Sequence, residues 1–279
     1  MEGKLFVLAT PIGNLGDFSP RAVQTLEECD FIAAEDTRVS LKLLNHFGIK
    51  KPLVSYYEHN RREKGEYILD RIKGGENCVI MTDAGTPAIS DPGTDLVALC
   101  AENGIEAVPI PGCCAIITAL SASGTECGRF TFEGFLSTAN KARCEHLSEV
   151  ARERRTMVFY EAPHKLKKTL SDMLEYFGDR KIVLCRELTK LHEEIIRTTL
   201  SEAVSKYETE PPRGEYVLVI EGYHGENDGE KPDPVALVKK LLDEGMGLND
   251  AVKKASRETS FPKNQLYKEA LLICGGDKK

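Results

Sequence analysis

The chain has 279 residues, which exceeds one average domain and predicts two domains with room for a small appendage. With 41% hydrophobic and 29% charged residues, no apolar run long enough to span a bilayer and no cleavable signal after Met1-Glu2-Gly3-Lys4, membrane and secretory classes are excluded and a cytoplasmic protein is expected. The net charge of −7 is uneven: residues 231–279 hold 10 Lys/Arg against 7 Asp/Glu, so an acidic total does not exclude a polyanionic partner for the tail.

The first 125 residues alternate short apolar runs with amphipathic segments. Strands are predicted at Lys4–Ala9, Phe31–Glu35, Leu53–Tyr57, Cys78–Thr82 and Glu106–Ile110, their near-continuous apolar character suiting parallel strands buried on both faces. Helices are predicted at 19–28, 38–47, 60–73, 92–103 and 113–123. Ser19-Pro20 and Asp91-Pro92 read as helix starts, and Gly48, Gly74 and Gly104 as helix stops. This β-α repetition predicts a mainly parallel sheet covered by helices in a domain spanning residues 1–124.

The pattern changes near Ser123-Gly124-Thr125, where a second α/β domain is predicted over residues 125–224. Its strands are expected at 130–135, 156–160, 181–187, 193–199 and 215–221, with helices at 140–153, 164–177 and 201–207. No helix fits between 181–187 and 193–199, so these two should form a hairpin and make the second sheet mixed. Residues 225–233 read as a linker, rich in charge and glycine. Beyond it, residues 234–279 carry three short apolar-faced helices on Val235, Val238, Leu241; Leu248, Ala251, Val252, Ala255; and Leu266, Ala270, Leu271. Three such helices suit a helix-turn-helix module and equally suit a small helical cap.

Ligands of parallel α/β sheets bind beyond the carboxyl ends of the strands. Three polar, glycine-bearing segments fall there: Thr10–Asp17, Ala34–Arg38 and Asp83–Gly93. The first lacks the Gly-Lys-Ser/Thr of a phosphate loop and the Gly-x-Gly-x-x-Gly of a dinucleotide site, which counts against nucleotide hydrolysis and hydride transfer. Glu35, Asp36 and Arg38 put charge at a strand end, and His164 and Lys190 follow later strands. Nine cysteines show neither a Cys-x-x-Cys nor zinc-ligand spacing, so no metal is expected and the thiols read as small apolar residues.

Six ordered segments carry a resemblance. They are Ala9–Asp17, Ala34–Arg38, Asp83–Gly93, Phe132-Glu133-Gly134-Phe135-Leu136, Tyr160-Glu161-Ala162-Pro163-His164-Lys165 and Glu187-Leu188-Thr189-Lys190. Together they resemble the tetrapyrrole methylase superfamily, in particular the bacterial small-subunit (16S) rRNA cytidine 2′-O-ribose methyltransferase I family. The resemblance runs from Leu5 to about Gly222 and continues through the tail.

It implies an α/β, two-domain tetrapyrrole-methylase-like fold and a homodimer. It also implies S-adenosyl-L-methionine as cofactor, held in the interdomain cleft by Pro11, Asp83, Ala84, Gly85, Ile89, Ser121, Ala122, Glu161, Leu188, Gly214 and Glu215. Asp36 and Lys190 become candidates for the proton acceptor, the latter as a neutral amine. Asn14, Glu35, Arg38, His164, Lys253, Lys254 and Arg257 are expected to hold 16S rRNA in the small ribosomal subunit, helped by the basic stretch Lys141, Arg143, Arg152, Arg154, Arg155 and by Lys263 and Lys268. One departure is Pro111-Gly112-Cys113-Cys114-Ala115, where the family has Pro-Gly-Pro-Ser-Ala. A precorrin-type C-methyltransferase and a non-catalytic RNA-binding assembly protein are the alternatives this reading leaves open.

Overall fold

The structure is a computed structural model that describes residues 2–225, 233–259, 261 and 263–274. It falls into two compact units, residues 1–223 and 224–279. Most of the linker expected at 225–233 lies outside the described residues.

The first unit contains two five-stranded sheets. Strands β1 (Leu5–Leu8), β2 (Phe31–Ala34), β3 (Leu53–Ser55), β4 (Cys78–Met81) and β5 (Ala107–Ile110) lie in the order β3-β2-β4-β1-β5, all parallel. Helices α1 (Pro20–Glu28) and α2 (Thr37–His46) bury Ala22, Leu26 and Leu44 against one face, on Leu8, Ile32, Val79 and Met81. Helices α3 (Arg61–Lys73) and α4 (Thr94–Glu102) bury Ile68, Ile72 and Leu96 against the other, on Leu5, Phe31 and Ile80. Each fully buried leucine or isoleucine among these stabilises the fold by roughly 1.5–3 kcal/mol. β1 therefore leads into a helix on one face and β4, its neighbour, into a helix on the other. Their loops diverge and leave a crevice, as parallel sheets do at a topological switch point.

Helix starts follow local chemistry in one case and depart from it in another. Ser19 caps α1, its side chain accepting the Ala22 N–H, with Pro20 at the first position. Asp91-Pro92 does not start α4. That helix begins at Thr94, behind Gly93 at φ +142°, and has no side-chain cap.

The second sheet is built from β6 (Phe130–Phe135), β7 (Thr156–Glu161), β8 (Lys181–Arg186), β9 (Glu194–Thr199) and β10 (Tyr216–Ile220), in the order β6-β7-β10-β8-β9. Only β6 and β7 run parallel; β8 and β9 form the expected hairpin, Lys181 facing Thr199 and Arg186 facing Glu194. Helices α6 (Asn140–Val150), α7 (Pro163–Phe177) and α8 (Leu200–Thr209) cover one face through Leu147, Leu166, Leu170 and Ala203. The other face is covered by α5 (Ala115–Ser123), whose Ile116, Ala119 and Leu120 pack on Val158, Val183, Val217 and Val219. The last helix of the segment expected as a first domain thus packs on the second sheet.

Arg143, expected on a basic surface, is buried at 8% exposure instead. Its Nε donates to Asp172 Oδ2 at 2.8 Å, and Nη2 donates to Asn140 Oδ1 at 2.7 Å. Lys168 donates to the other Asp172 oxygen at 2.7 Å. A guanidinium so enclosed is no phosphate contact. Arg155 is paired as well, with Glu153, while Lys141, Arg152 and Arg154 are exposed.

The second unit holds α9 (Pro234–Asp243), α10 (Leu248–Thr259) and α11 (Lys263–Cys274). They close on a core of Val238, Leu241, Ala251, Val252, Ala255, Leu266 and Ala270, which leaves Lys253, Lys254 and Lys268 exposed. Arg257 lies on α10, and its side chain, like that of Lys263, is outside the described residues. Among the described residues no helix is long and apolar enough to cross a membrane.

Candidate active site

A cavity of about 300 Å³ opens in the first unit where the switch-point loops of the first sheet meet the second sheet. One wall is the segment after β4: Ala84, Gly85, Ile89 and Asp91. It is tied to the segment after β1 by a two-way backbone bridge, Thr10 N–H to Gly85 O at 2.9 Å and Gly85 N–H to Thr10 O at 3.1 Å. Gly85 stands at φ +82°, and a Cβ there would meet Ile12 Cγ2 at 3.4 Å. Glycine keeps both the turn and the space. The opposite wall comes from the second sheet: Phe135, Tyr160 and Glu161, then Glu187, Leu188 and Lys190, then Glu215 to Val217.

Three non-glycine residues among those described adopt positive φ: Ala88 at 67°, Glu187 at 49° and Thr189 at 66°. Each is a neighbour or member of the cavity wall. Such backbone costs of order 1–3 kcal/mol per residue and persists where surrounding structure enforces it, which is characteristic of functional sites.

Glu161 is 2% exposed, accepting from Ala162 N–H at 2.8 Å and from the Thr169 hydroxyl. Lys190 sits at the lip, its ammonium donating to Glu187 Oε1 at 3.0 Å and Glu215 Oε2 at 2.8 Å. Burial works against that charge, but the hydrogen bonds to Glu215 and Glu187 outweigh it and hold the pKa above the ordinary lysine value. Lys190 is therefore a cation here and not the neutral amine expected of a base. Asp36 caps α2 and grips Arg38 through both oxygens, at 3.1 and 2.7 Å. The hydrogen bonds from Arg38 take its pKa down to about 2, a weak basicity for accepting a proton.

Asp91 differs from both. It lines the cavity half-buried and, among the described residues, carries no hydrogen bond or ion pair. Burial raises its pKa, and the neighbouring Asp83 carboxylate raises it further. The sequence assigned this residue to helix capping, because Asp-Pro is a common helix start. Only the displaced start of α4 frees its carboxylate.

Of the residues implied to hold the cofactor, Ala84, Gly85, Ile89, Glu161, Leu188 and Glu215 meet at the cavity. Pro11 and Asp83 flank it in sequence, Asp83 instead accepting the Asp36 N–H at 3.2 Å. Gly214, at φ +76°, packs so closely on Glu187 that a Cβ would collide with its side chain. Ser121 and Ala122 close α5 away from the cavity lining, Ser121 donating to Thr118 O at 2.9 Å and the Ala122 carbonyl accepting from Arg197. Asn14 caps a short 3-10 turn at Leu15–Asp17 and is exposed, as are Arg38 and His164. Glu35 is half-buried, with its pKa raised by burial, and Asp83 N–H lies 3.4 Å from its Oε2. The sequence reading missed Asp91, Phe135, Tyr160 and Glu187 as wall residues, although all four lie in the motifs it singled out.

Residues 4–204 match the pattern of the Tetrapyrrole (Corrin/Porphyrin) Methylases. Proteins named ribosomal RNA small subunit methyltransferase I align along almost the whole chain. The Synechocystis protein is 45% identical, covering 96% of this chain and 98% of its own. The Pseudomonas aeruginosa protein is 46% identical, with 96% and 97% covered, and that of Bacillus subtilis 42%, with 95% and 93%. Among solved structures, cobalt precorrin-4 methyltransferase superposes with a TM-score of 0.59 at 18% identity, covering 78% of this chain and 94% of its own. A Thermus thermophilus uroporphyrin-III C-methyltransferase complexed with S-adenosylhomocysteine superposes at 0.56 with 17% identity, covering 78% and 97%. These structures share the fold. The chain belongs to the tetrapyrrole methylases, in the branch formed by the ribosomal RNA small subunit methyltransferase I proteins.

Proposed function

We propose that the protein transfers a methyl group from S-adenosylmethionine to the ribose 2′-oxygen of a cytidine in the decoding centre of 16S rRNA. The observation that carries this reading is near-full-length identity of 41–46% to proteins named as small-subunit ribosomal RNA methyltransferases. The precorrin alternative rests on structures alike in fold alone, at 18% identity or less.

The cavity suits such a cofactor. Its volume of about 300 Å³ lies at the small end of ligand pockets, with apolar walls at Ile12, Ile89, Leu188 and Val217 and carboxylates facing a cationic ligand. Ala84, Gly85, Ile89 and Leu188 would hold it. When bound, it supplies a methyl group already activated on a sulfonium.

The protein's own tasks are to align the ribose oxygen and to take its proton. Alignment is the larger, since well-oriented reactants gain on the order of 7–11 kcal/mol. We assign proton acceptance to Asp91, which lies inside the cavity and among the described residues has no hydrogen bond or ion pair. Asp36 fixes Arg38 and the start of α2, and Lys190 bridges the loops at the cavity lip.

RNA contacts fall to Asn14, Glu35, Arg38 and His164 in the first unit and to Lys253, Lys254 and Arg257 in the tail. Deleting residues 231–279 is expected to weaken RNA binding more than cofactor binding; equal RNA affinity with and without the tail, read by filter binding, would remove that role. This reading carries a cytoplasmic location and, through the family resemblance, a homodimer, which sedimentation checks. The deciding experiment offers labelled cofactor with 30S subunits, naked 16S RNA or a precorrin, and maps any ribose methylation. Label in the precorrin alone overturns the proposal.

A further inference from the structure

Phe135 is a large apolar side chain left 53% exposed at the cavity wall, and its position is built by a backbone irregularity. The register of β6 on β7 slips between Phe132 and Gly134, with Phe132 opposite Val158 and Gly134 opposite Phe159. Glu133 is the extra residue, and Gly134 stands at φ +66°. In an unbroken strand residues 132 and 135 would face opposite sides, since side chains alternate. The bulge reverses that alternation.

Phe135 consequently joins Phe132 on the side of Tyr160, with ring centroids 5.4 and 5.0 Å from the tyrosine, while Leu136 enters the core on the other face. A second residue completes the arrangement. Lys165, at the start of α7, holds its ammonium 5.9 Å from the Phe135 centroid, and among the described residues it has no carboxylate partner. An aromatic face braced from behind, open in front and topped by an unpaired cation matches the chemistry of a nucleotide: a planar base to stack and a phosphate to neutralise.

We propose that Phe135 and Lys165 form a stacking subsite for a nucleobase of the RNA substrate, with Lys165 taking the adjoining phosphate. This rests on RNA as the substrate class. Sequence-specific recognition of RNA works by splaying out unpaired bases onto aromatic side chains, and a half-exposed platform at the rim suits a base that arrives with its strand. The cofactor adenine is the competing planar group.

The protein has no tryptophan, so Phe135→Trp introduces a single emitter at the platform. Its emission is expected to be quenched by a short single-stranded RNA oligonucleotide and not by an abasic ribose-phosphate strand of equal length. Phe135→Ala, at a half-exposed position that the core does not require, is expected to raise the KM for RNA roughly tenfold or more. The Kd for S-adenosylmethionine by calorimetry should change by a much smaller factor than the RNA KM. Lys165→Gln should reduce the slope of log affinity against log salt by about one. Quenching by S-adenosylmethionine alone, or an unchanged RNA KM in Phe135→Ala, overturns the subsite. Absence of RNA methylation by the wild type overturns the reading beneath it, a result scored independently of the quenching.

Discussion

Asp91→Asn is expected to lower kcat by roughly 10²–10⁴-fold, the usual contribution of a positioned general base. The proposed transfer would form an O–CH₃ bond and break the S–CH₃ bond, and the ribose hydroxyl proton would have to leave for the oxygen to end neutral. In that proposal the Asp91 carboxylate would take the proton and become the acid. An asparagine keeps the shape and cannot take the proton, so the loss should fall on kcat while the Kd values for cofactor and RNA change far less.

The pH profile gives a second signature. A base acts when deprotonated, and burial beside Asp83 raises the pKa of Asp91. Activity should therefore fall on acidification through a limb lying above the ordinary carboxylate range. Asp36→Ala and Lys190→Ala provide the contrast. Should either abolish the chemical step while Asp91→Asn leaves kcat and the acid limb intact, the proton acceptor is that residue and not Asp91.

The second large effect concerns stability. Asp172→Ala should destabilise the protein by about 3–5 kcal/mol, because removing one partner leaves a buried charge uncompensated. The stranded group is Arg143, whose Nε to Asp172 Oδ2 bond of 2.8 Å is, among the described residues, its only contact with an anion. Asn140 and the Ser137 and Thr138 carbonyls take up three of its four other N–H groups without neutralising it. Urea unfolding followed by circular dichroism measures the change, and a loss below about 1 kcal/mol, as for exposed pairs, would show that the pair is open to solvent. Replacing both residues by apolar ones of similar volume should recover much of the loss, since a buried ion pair is not inherently better than a packed apolar one.

The order of elements was legible because apolar runs and helix-stop glycines are local signals. Nine of the ten strands lie within the predicted segments and β7 runs one residue past its own, to Glu161, while the β8–β9 hairpin followed from the missing helix between them. What escaped the sequence depends on direction or distance. Asp91-Pro92 reads as a cap, yet the backbone at Ala88 and Gly93 delays the helix and turns the carboxylate into the cavity. Arg143 reads as one charge in a basic run, yet its partner is 29 residues away on another helix. The bulge at Glu133-Gly134 moves Phe135 by one face without leaving a trace in the apolar pattern. Helix α5 completes the alternation of the first sheet in sequence and covers the second in space.

The positive-φ residues around the cavity also set a limit on engineering. Ala88, Glu187 and Thr189 are where glycine would relieve backbone strain, so a search for thermostable variants guided by conformational energy alone would be drawn to them. Glu187 lines the cavity and Ala88 and Thr189 adjoin lining residues, so their fixed backbones help set the walls that hold Asp91 and Lys190. Heat resistance gained there would be taken from the geometry of the reaction, and safer gains lie in the exposed turns remote from both sheets' facing edges.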